Sequence, residues 1–216
     1  MKIIRSDRRT LAIIIESDGS LTVRAPLRLS QLEIDRFLAT KQRWIQSKQT
    51  IAFSQVPPPH NFETGESFPF LGNDHLLNLV DNPSQPLELK DFFLLDRRLK
   101  NRGCEIFTRW YRDQARRIFG ERLAHFTHLH KMGYNKLRIS SAKTRWGSCS
   151  NRKTISLTWR LVMAPLPVVD YLILHELTHL EIPNHSQQFW ARVAQFCPDY
   201  RLHRKWLKDN GARLAL

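Results

Sequence analysis

The sequence has no long apolar run and few cysteines. No stretch approaches the ~18 consecutive apolar residues that a membrane-spanning helix needs, so we expect no membrane association. The N-terminal apolar run from Leu11 to Ile15 is too short for a secretion signal. The three cysteines are an odd set at wide spacing, which is typical of free thiols in a reducing compartment. These absences predict a cytoplasmic protein.

Acidic side chains are also scarce, and the chain is strongly basic as a result. Asp and Glu number 20 against 34 Lys and Arg, which gives a formal net charge of +14. Such a charge attracts phosphate-bearing or acidic partners over long distances. Arginines are concentrated on the outer face of a helix predicted from residue 98 to about 130. A nucleic-acid interface and an ordinary solvated helix face both fit this pattern.

Hydrophobic periodicity predicts a β-rich first part of the chain, residues 1–96. Alternating apolar residues from Leu11 to Ala25 predict a hairpin with an Asp18-Gly19 turn. Ser30 and Glu33 have the spacing of a capping box, and helical periodicity follows from about 31 to 49. Short apolar runs between residues 68 and 95 then predict a small meander.

The second part, residues 97–216, is predicted to be mainly helical. The long basic helix is followed by two strands, at 137–140 and 154–158, and by three further helices. Pro165 and Pro167 begin the first of these three helices, and Pro183 ends it. We therefore predict an α+β protein with a β-rich N-terminal part and a helical second domain.

The chemistry of the chain is concentrated in His175-Glu176-Leu177-Thr178-His179. On a helix, residues four apart lie one turn above each other, so His175 and His179 can share one divalent metal ion. Glu176 lies about 100° round the helix, where its carboxylate can take a proton from water activated by the metal. The surrounding residues are apolar, which predicts a buried helix whose polar groups need a cation to satisfy them. The alternative is a pair of satisfied core histidines.

A catalytic zinc ion usually has three protein ligands and one water molecule, so a third ligand is expected. Glu181 is the only glutamate after His179, and it faces the opposite side of the helix. His185 follows His179 by six residues, which is the ligand spacing of metzincin peptidases, and Pro183-Asn184 can provide the turn between them.

Three other residues remain candidates for the third ligand. Asp199 and His203 follow further along the chain. Cys149 precedes the motif and would complete the site in the manner of peptide deformylases, in which an upstream cysteine joins two histidines.

Several segments besides the motif are shared with one known family. They are Arg145-Trp146-Gly147-Ser148-Cys149-Ser150, Trp159-Arg160-Leu161, Asn184-His185-Ser186, Phe189-Trp190, Asp18-Gly19, Arg24 to Pro26, Lys41 to Ile45 and Phe70-Leu71-Gly72. By these segments the chain resembles the YgjP-like family of zinc-dependent metallohydrolases, which are relatives of the SprT-like and WLM metallopeptidases. The resemblance extends over nearly the whole chain.

This resemblance implies a zincin-like fold in residues 97–216, with the motif on a buried helix, and peptidase activity toward a peptide or protein substrate. It also implies that His175, His179 and His185 bind Zn2+ and that Glu176 is the general base. The segment near Gly147 to Ser150 could bind substrate as an added strand or could be an ordinary turn.

The function predicted from the sequence is therefore that of a zinc metallopeptidase. Arg145, Tyr200 and His203 are candidates for steadying the oxyanion. One alternative is a nucleic-acid-associated protein with a structural metal site. Another is a deformylase-like amidohydrolase that uses Cys149 as a metal ligand.

Overall fold

The computed structural model describes residues 1–15, 19–55 and 59–216, with the backbone alone at residues 51–55. Contacts between Cα atoms divide the chain into two compact units, Met1–Pro58 and Pro59–Leu214. The described part is a mixed α+β structure with three sheets and six α-helices, which confirms the predicted α+β class. Among the described residues, no helix combines the length and apolarity needed to cross a membrane.

The first unit contains a three-stranded sheet with β3 (Leu21–Pro26) in the centre. Strand β2 (Ala12–Ile15) pairs with β3 in antiparallel register, as the predicted hairpin requires, although Asp18 of its turn lies outside the described residues. Strand β1 (Lys2–Ser6) pairs with β3 in parallel. It was not predicted, because four of its five residues are exposed and it has no alternating apolar pattern.

Two helices follow where the sequence predicted one. They are α1 (Gln31–Thr40) and α2 (Gln42–Gln55). The predicted capping box at Ser30 is present, since its hydroxyl accepts from the Glu33 amide and the Glu33 carboxylate accepts from the Ser30 amide. The break lies at Lys41, whose N–H bonds to the carbonyl of Leu38, three residues back, in a tightened last turn.

The second unit begins with a four-stranded sheet in the order β4-β5-β7-β6. Its strands are β4 (Ser67–Phe70), β5 (Asn73–Val80), β6 (Leu87–Leu89) and β7 (Phe93–Asp96). The predicted meander is wrong here, because β7 pairs with β5 in parallel and β6 lies at the edge. This register places Leu77 beside Phe93, and both side chains are fully buried. The short apolar runs predicted that strands form here but did not predict their order, which depends on which side chains are buried together.

The long predicted helix is present as a short 3-10 helix, Arg97–Arg102, followed by α3 (Gly103–His130). Phe107 on α3 stacks on Phe68 of β4 with 4.2 Å between ring centroids, and the Tyr111 hydroxyl donates to the carbonyl of Pro69 at 2.8 Å. Strands β4 to β7 and the helices after residue 96 therefore share one core. The division into residues 1–96 and 97–216 stays a prediction.

The remaining elements surround the predicted motif. A three-stranded sheet in the order β8-β10-β9 consists of β8 (Lys136–Ser140), β9 (Gly147–Cys149) and β10 (Thr154–Thr158). Three helices follow, α4 (Leu166–Thr178), α5 (Gln187–Phe196) and α6 (Tyr200–Asn210). A bidentate pair between Arg122 of α3 and Asp170 of α4, at 2.6 and 2.7 Å, joins the two longest helices of this unit.

Candidate metal centre

The motif begins in the last turn of α4 and extends one residue past its end. Pro165 precedes the helix, which ends at Thr178, and His179 is its C-cap. His179 keeps helical dihedral angles, φ −65° and ψ −16°, so it lies one turn beyond His175 on the same face. After the helix, the amide of Ile182 bonds to the carbonyl of Thr178, and Pro183 prevents further helix.

Three histidine side chains converge at this end of α4. The Nε2 atom of His185 lies 3.1 Å from Nε2 of His175 and 3.2 Å from Nε2 of His179. Their potential ligand atoms all lie within 4.8 Å of one another, and no other group of this kind is found in the described residues. The turn before α5 positions His185, because the Asn184 side chain accepts from the Ser186 amide and the Ser186 hydroxyl caps α5.

The hydrogen-bond partners of the three rings are compatible with a cation between them. His179 Nδ1 lies 3.1 Å from the carbonyl of Ile182, which can only accept, so a neutral His179 ring has its lone pair on Nε2. His185 Nε2 faces two other Nε2 atoms, but a single N–H could bond to only one of them. Burial lowers the pKa of His175 to about 3 and also lowers the pKa of His185, with the neighbouring histidines as a second cause. Three imidazoles that converge in this way could hold a metal ion.

Aromatic rings fix the orientation of these imidazoles. Phe189 of α5 is fully buried, and its ring centroid lies 4.9, 4.4 and 4.8 Å from those of His175, His179 and His185. Trp190 stacks on His185 at 5.6 Å. The sequence placed both aromatics in a helix after Ser186 but gave them no role at the site. Their positions three and four residues after an N-cap adjoining His185 are the signal that could have identified them.

Glu176 follows His175 in α4, and the backbone of β9 lies against its side chain. Its side chain is buried, and its Oε2 atom has no hydrogen-bond partner among the described residues. Burial raises the pKa of Glu176 to about 8, against a smaller opposing effect from Arg145. A Cβ atom added at Gly147 would lie 2.4 Å from Glu176 Oε1, so the backbone of β9 lies directly against the carboxyl group. Burial of a carboxyl oxygen without a hydrogen-bond partner costs folding free energy. Its presence here therefore indicates a functional role.

The other candidate ligands lie outside this group. The thiol of Cys149 is not among the converging atoms, and burial raises its pKa, which disfavours the thiolate that a metal needs. The deformylase-like arrangement is therefore not favoured. Asp199 precedes α6, and the ring of His203 lies 6.3 Å from that of Tyr171. Neither joins the group in the part of the chain that the structure describes.

The residues proposed to steady an oxyanion have different surroundings. Tyr200 is nearly buried and stacks on Trp190 at 5.4 Å between centroids. Its hydroxyl accepts from Arg201 at 3.3 Å. Arg145 is exposed and acts on Glu176 through its charge. Arg204, which the sequence reasoning did not single out, lies over the Trp190 ring at 4.7 Å.

Several arginines of the basic helix α3 and of the 3-10 helix before it are already paired. Arg102 pairs with Glu105, Arg116 with Asp113 and Arg117 with Glu121, in addition to the Arg122 pair described above. This pairing is typical of a solvated helix face. Nucleic-acid binding by this face stays a prediction.

Comparison with known proteins gives one result. The family model described as the YgjP-like metallopeptidase domain matches residues 9–210, which include the three histidines and Glu176. No curated protein and no solved structure matches the chain.

Proposed function

Because the chain belongs to the YgjP-like family of metallopeptidase domains, we propose that it is a zinc-dependent peptidase with a zincin-like catalytic domain in residues 97–216. Family membership indicates a metallohydrolase that acts on a peptide or protein. The observation that carries the finer proposal is the convergence of three imidazoles, together with the buried, unpartnered carboxyl group of Glu176, the residue that follows His175.

In this proposal His175, His179 and His185 hold the metal ion. Zinc binds imidazole nitrogen at about 2.0–2.1 Å, so two nitrogens on one tetrahedral ion lie about 3.3 Å apart. The observed separations of 3.1 and 3.2 Å support that fit. Three nitrogen donors also favour zinc over magnesium or calcium, which prefer oxygen. When bound, such an ion supplies a Lewis acid that activates water and polarises a carbonyl group.

Glu176 is proposed to move the proton. Its unpartnered Oε2 can accept a proton from the attacking water and donate it to the amine that leaves when the peptide bond breaks. A positive charge among the imidazoles would favour the ionised carboxylate that this role needs, against the effect of burial. Because Glu176 is buried, these electrostatic effects are stronger than they would be in water. The reaction needs no covalent link between the chain and its substrate.

The free edge of β9 is proposed to bind the substrate backbone. In the described sheet β9 has a neighbouring strand on one side only. The carbonyl of Trp146 accepts from Thr158, and the amide of Ser150 donates to Thr154, so alternate residues bond to β10. The amide and carbonyl groups of Gly147 and Cys149 therefore point away from β10, where an extended peptide can add as a further strand.

The replacement of Glu176 by Gln tests this function. Glu176→Gln keeps the size of the side chain and removes its ability to take a proton. We expect the variant to bind zinc as the parent does and to lose at least about a hundredfold in hydrolysis of a protein substrate such as casein. Glu181→Gln is the matched control, because Glu181 is exposed and pairs with Arg192 outside the site. If Glu176→Gln hydrolyses the substrate as fast as the parent, the proposed function is wrong.

A further inference from the structure

A basic cavity of about 440 Å³ lies on the β8-β10-β9 sheet, outside the group of three histidines. Its lining includes Arg112, Arg138 and Arg145 together with the hydroxyl groups of Ser140, Ser141, Ser148 and Ser156. None of the described residues that line it is acidic. The proposed metal centre uses none of these three guanidinium groups as a ligand.

The register of the sheet creates this cavity. Ser156 of β10 is paired with Arg138 on β8 and with Ser148 on β9, so the three side chains lie in one row on the same face. The neighbouring residues Ile155 and Leu157 point to the opposite face and are fully buried. The sheet therefore has an apolar inner face and a polar, basic outer face.

The arginines of the cavity have donors available for a ligand. Arg112 is held in place, because its two terminal nitrogens donate to the Ser141 hydroxyl at 2.8 Å and to the Ile139 carbonyl at 3.4 Å. Among the described residues, the side chains of Arg138 and Arg145 form no hydrogen bond and no ion pair. Guanidinium groups without a carboxylate partner, beside several hydroxyl groups, have the chemistry that binds carboxylate or phosphate.

We propose that this cavity is a subsite for an acidic group of the substrate, either a carboxylate or a phosphate on a peptide. The inference rests on the proposed peptidase function, because Gly147 both lines the cavity and lies against Glu176. A peptide added along the free edge of β9 directs successive side chains to the two faces of the sheet. An acidic side chain on the outer face enters the cavity, while the adjacent residue faces α4 and the histidines. The substrate is therefore a peptide with an acidic residue close to the cleaved bond.

Peptide binding tests this subsite independently of hydrolysis. Dye-labelled short peptides of alanine and serine, each with a single glutamate, glutamine or phosphoserine, are titrated with the zinc-loaded Glu176→Gln protein, and fluorescence anisotropy gives each Kd. We expect the glutamate or the phosphoserine peptide to bind at least about tenfold more tightly than the glutamine peptide. The difference between the two acidic peptides distinguishes a carboxylate site from a phosphate site.

Arg138→Gln in the same protein should remove most of this preference, with about a tenfold rise in Kd for the acidic peptide and little change for the glutamine peptide. Arg138 is exposed, so the substitution should not disturb folding. Arg116→Gln is the matched control, because it removes the same charge from an exposed position outside the cavity. Equal binding of acidic and glutamine peptides would overturn the inference. So would an equal effect of Arg138→Gln and Arg116→Gln, which would indicate a general effect of net charge.

Hydrolysis of the same peptides by the zinc-loaded parent separates this inference from the proposed function. If the binding preference is present but no peptide is cleaved, the subsite is supported and the peptidase proposal fails. If glutamate and glutamine peptides bind equally and are cleaved with equal kcat/KM, the subsite is excluded and the peptidase proposal stands.

Discussion

The close approach of Gly147 to Glu176 predicts the effect of a single methyl group on catalysis. In Gly147→Ala the new Cβ atom would lie 2.4 Å from Oε1, 2.8 Å from Cδ and 2.9 Å from Cγ of Glu176. Ordinary van der Waals contact begins near 3.4 Å, so Oε1 must move by 1.0 Å, the difference between 3.4 and 2.4 Å. Because Glu176 is buried and Cγ is also too close, the carboxyl group cannot simply rotate away.

A displacement of about 1 Å at a catalytic group can cost about a hundredfold in rate. We therefore expect kcat of Gly147→Ala to fall by about that factor, while zinc content stays at the parent level because no histidine is touched. Overpacking should lower the free energy of unfolding by about 1–3 kcal/mol. Rates with a protein substrate, zinc content by elemental analysis and urea unfolding measure the three effects.

Gly133→Ala is the control for Gly147→Ala, because a Cβ atom at Gly133 meets nothing within 4 Å. It should keep the activity and stability of the parent. If Gly147→Ala has the same kcat as the parent at equal zinc content, Glu176 does not need the position that the structure gives it. The role proposed for its carboxylate would then be wrong.

Three further predictions concern the surroundings of the site. Phe189→Ala should lower the free energy of unfolding by about 3–5 kcal/mol in urea titrations, because a fully buried ring is lost, and should weaken zinc binding, because that ring contacts all three imidazoles. Asp170→Asn should lower the free energy of unfolding by about 1–3 kcal/mol, because it breaks the bidentate pair between α3 and α4. Asp113→Asn affects an exposed pair and should lower it by less than about 1 kcal/mol in the same assay. Acid should destabilise the metal-free Glu176→Gln protein, which lacks the opposing titration of the raised Glu176 carboxyl group: burial lowers the folded pKa of His175 from 6.5 to about 3, so the stability is intact above pH 6.5 and is lost as the pH falls toward 3, which urea titrations in EDTA would detect.

Local sequence patterns predicted individual elements better than their arrangement. The capping box at Ser30 and the strands β8 and β10 follow from contacts between residues near in sequence, and they are present. The break at Lys41 depends on one tightened turn, which helical periodicity does not reveal. The parallel pairing of β5 and β7 depends on which faces are buried in the shared core, so it could not be read from short apolar runs.

In the candidate site, too, the sequence predicted local geometry but not the contacts between distant residues. The spacing of His175 and His179 predicted their common face, because helix geometry is local. His185 was one of several third-ligand candidates until the turn through Asn184 brought its ring to the other two. The contact between Gly147 and Glu176 joins residues 29 positions apart, since 176 minus 147 is 29, and no spacing rule predicts such a contact. The basic cavity depends on the register of three strands in the same way.

The zinc content of purified protein tests the metal centre most directly. Elemental analysis of the parent, His185→Ala and His203→Ala compares the proposed third ligand with a histidine outside the group. We predict about one equivalent of zinc per chain for the parent and for His203→Ala, and a large loss for His185→Ala, because three protein ligands are the usual number for a catalytic zinc. An undiminished equivalent of zinc in His185→Ala would contradict the metal centre proposed for this chain.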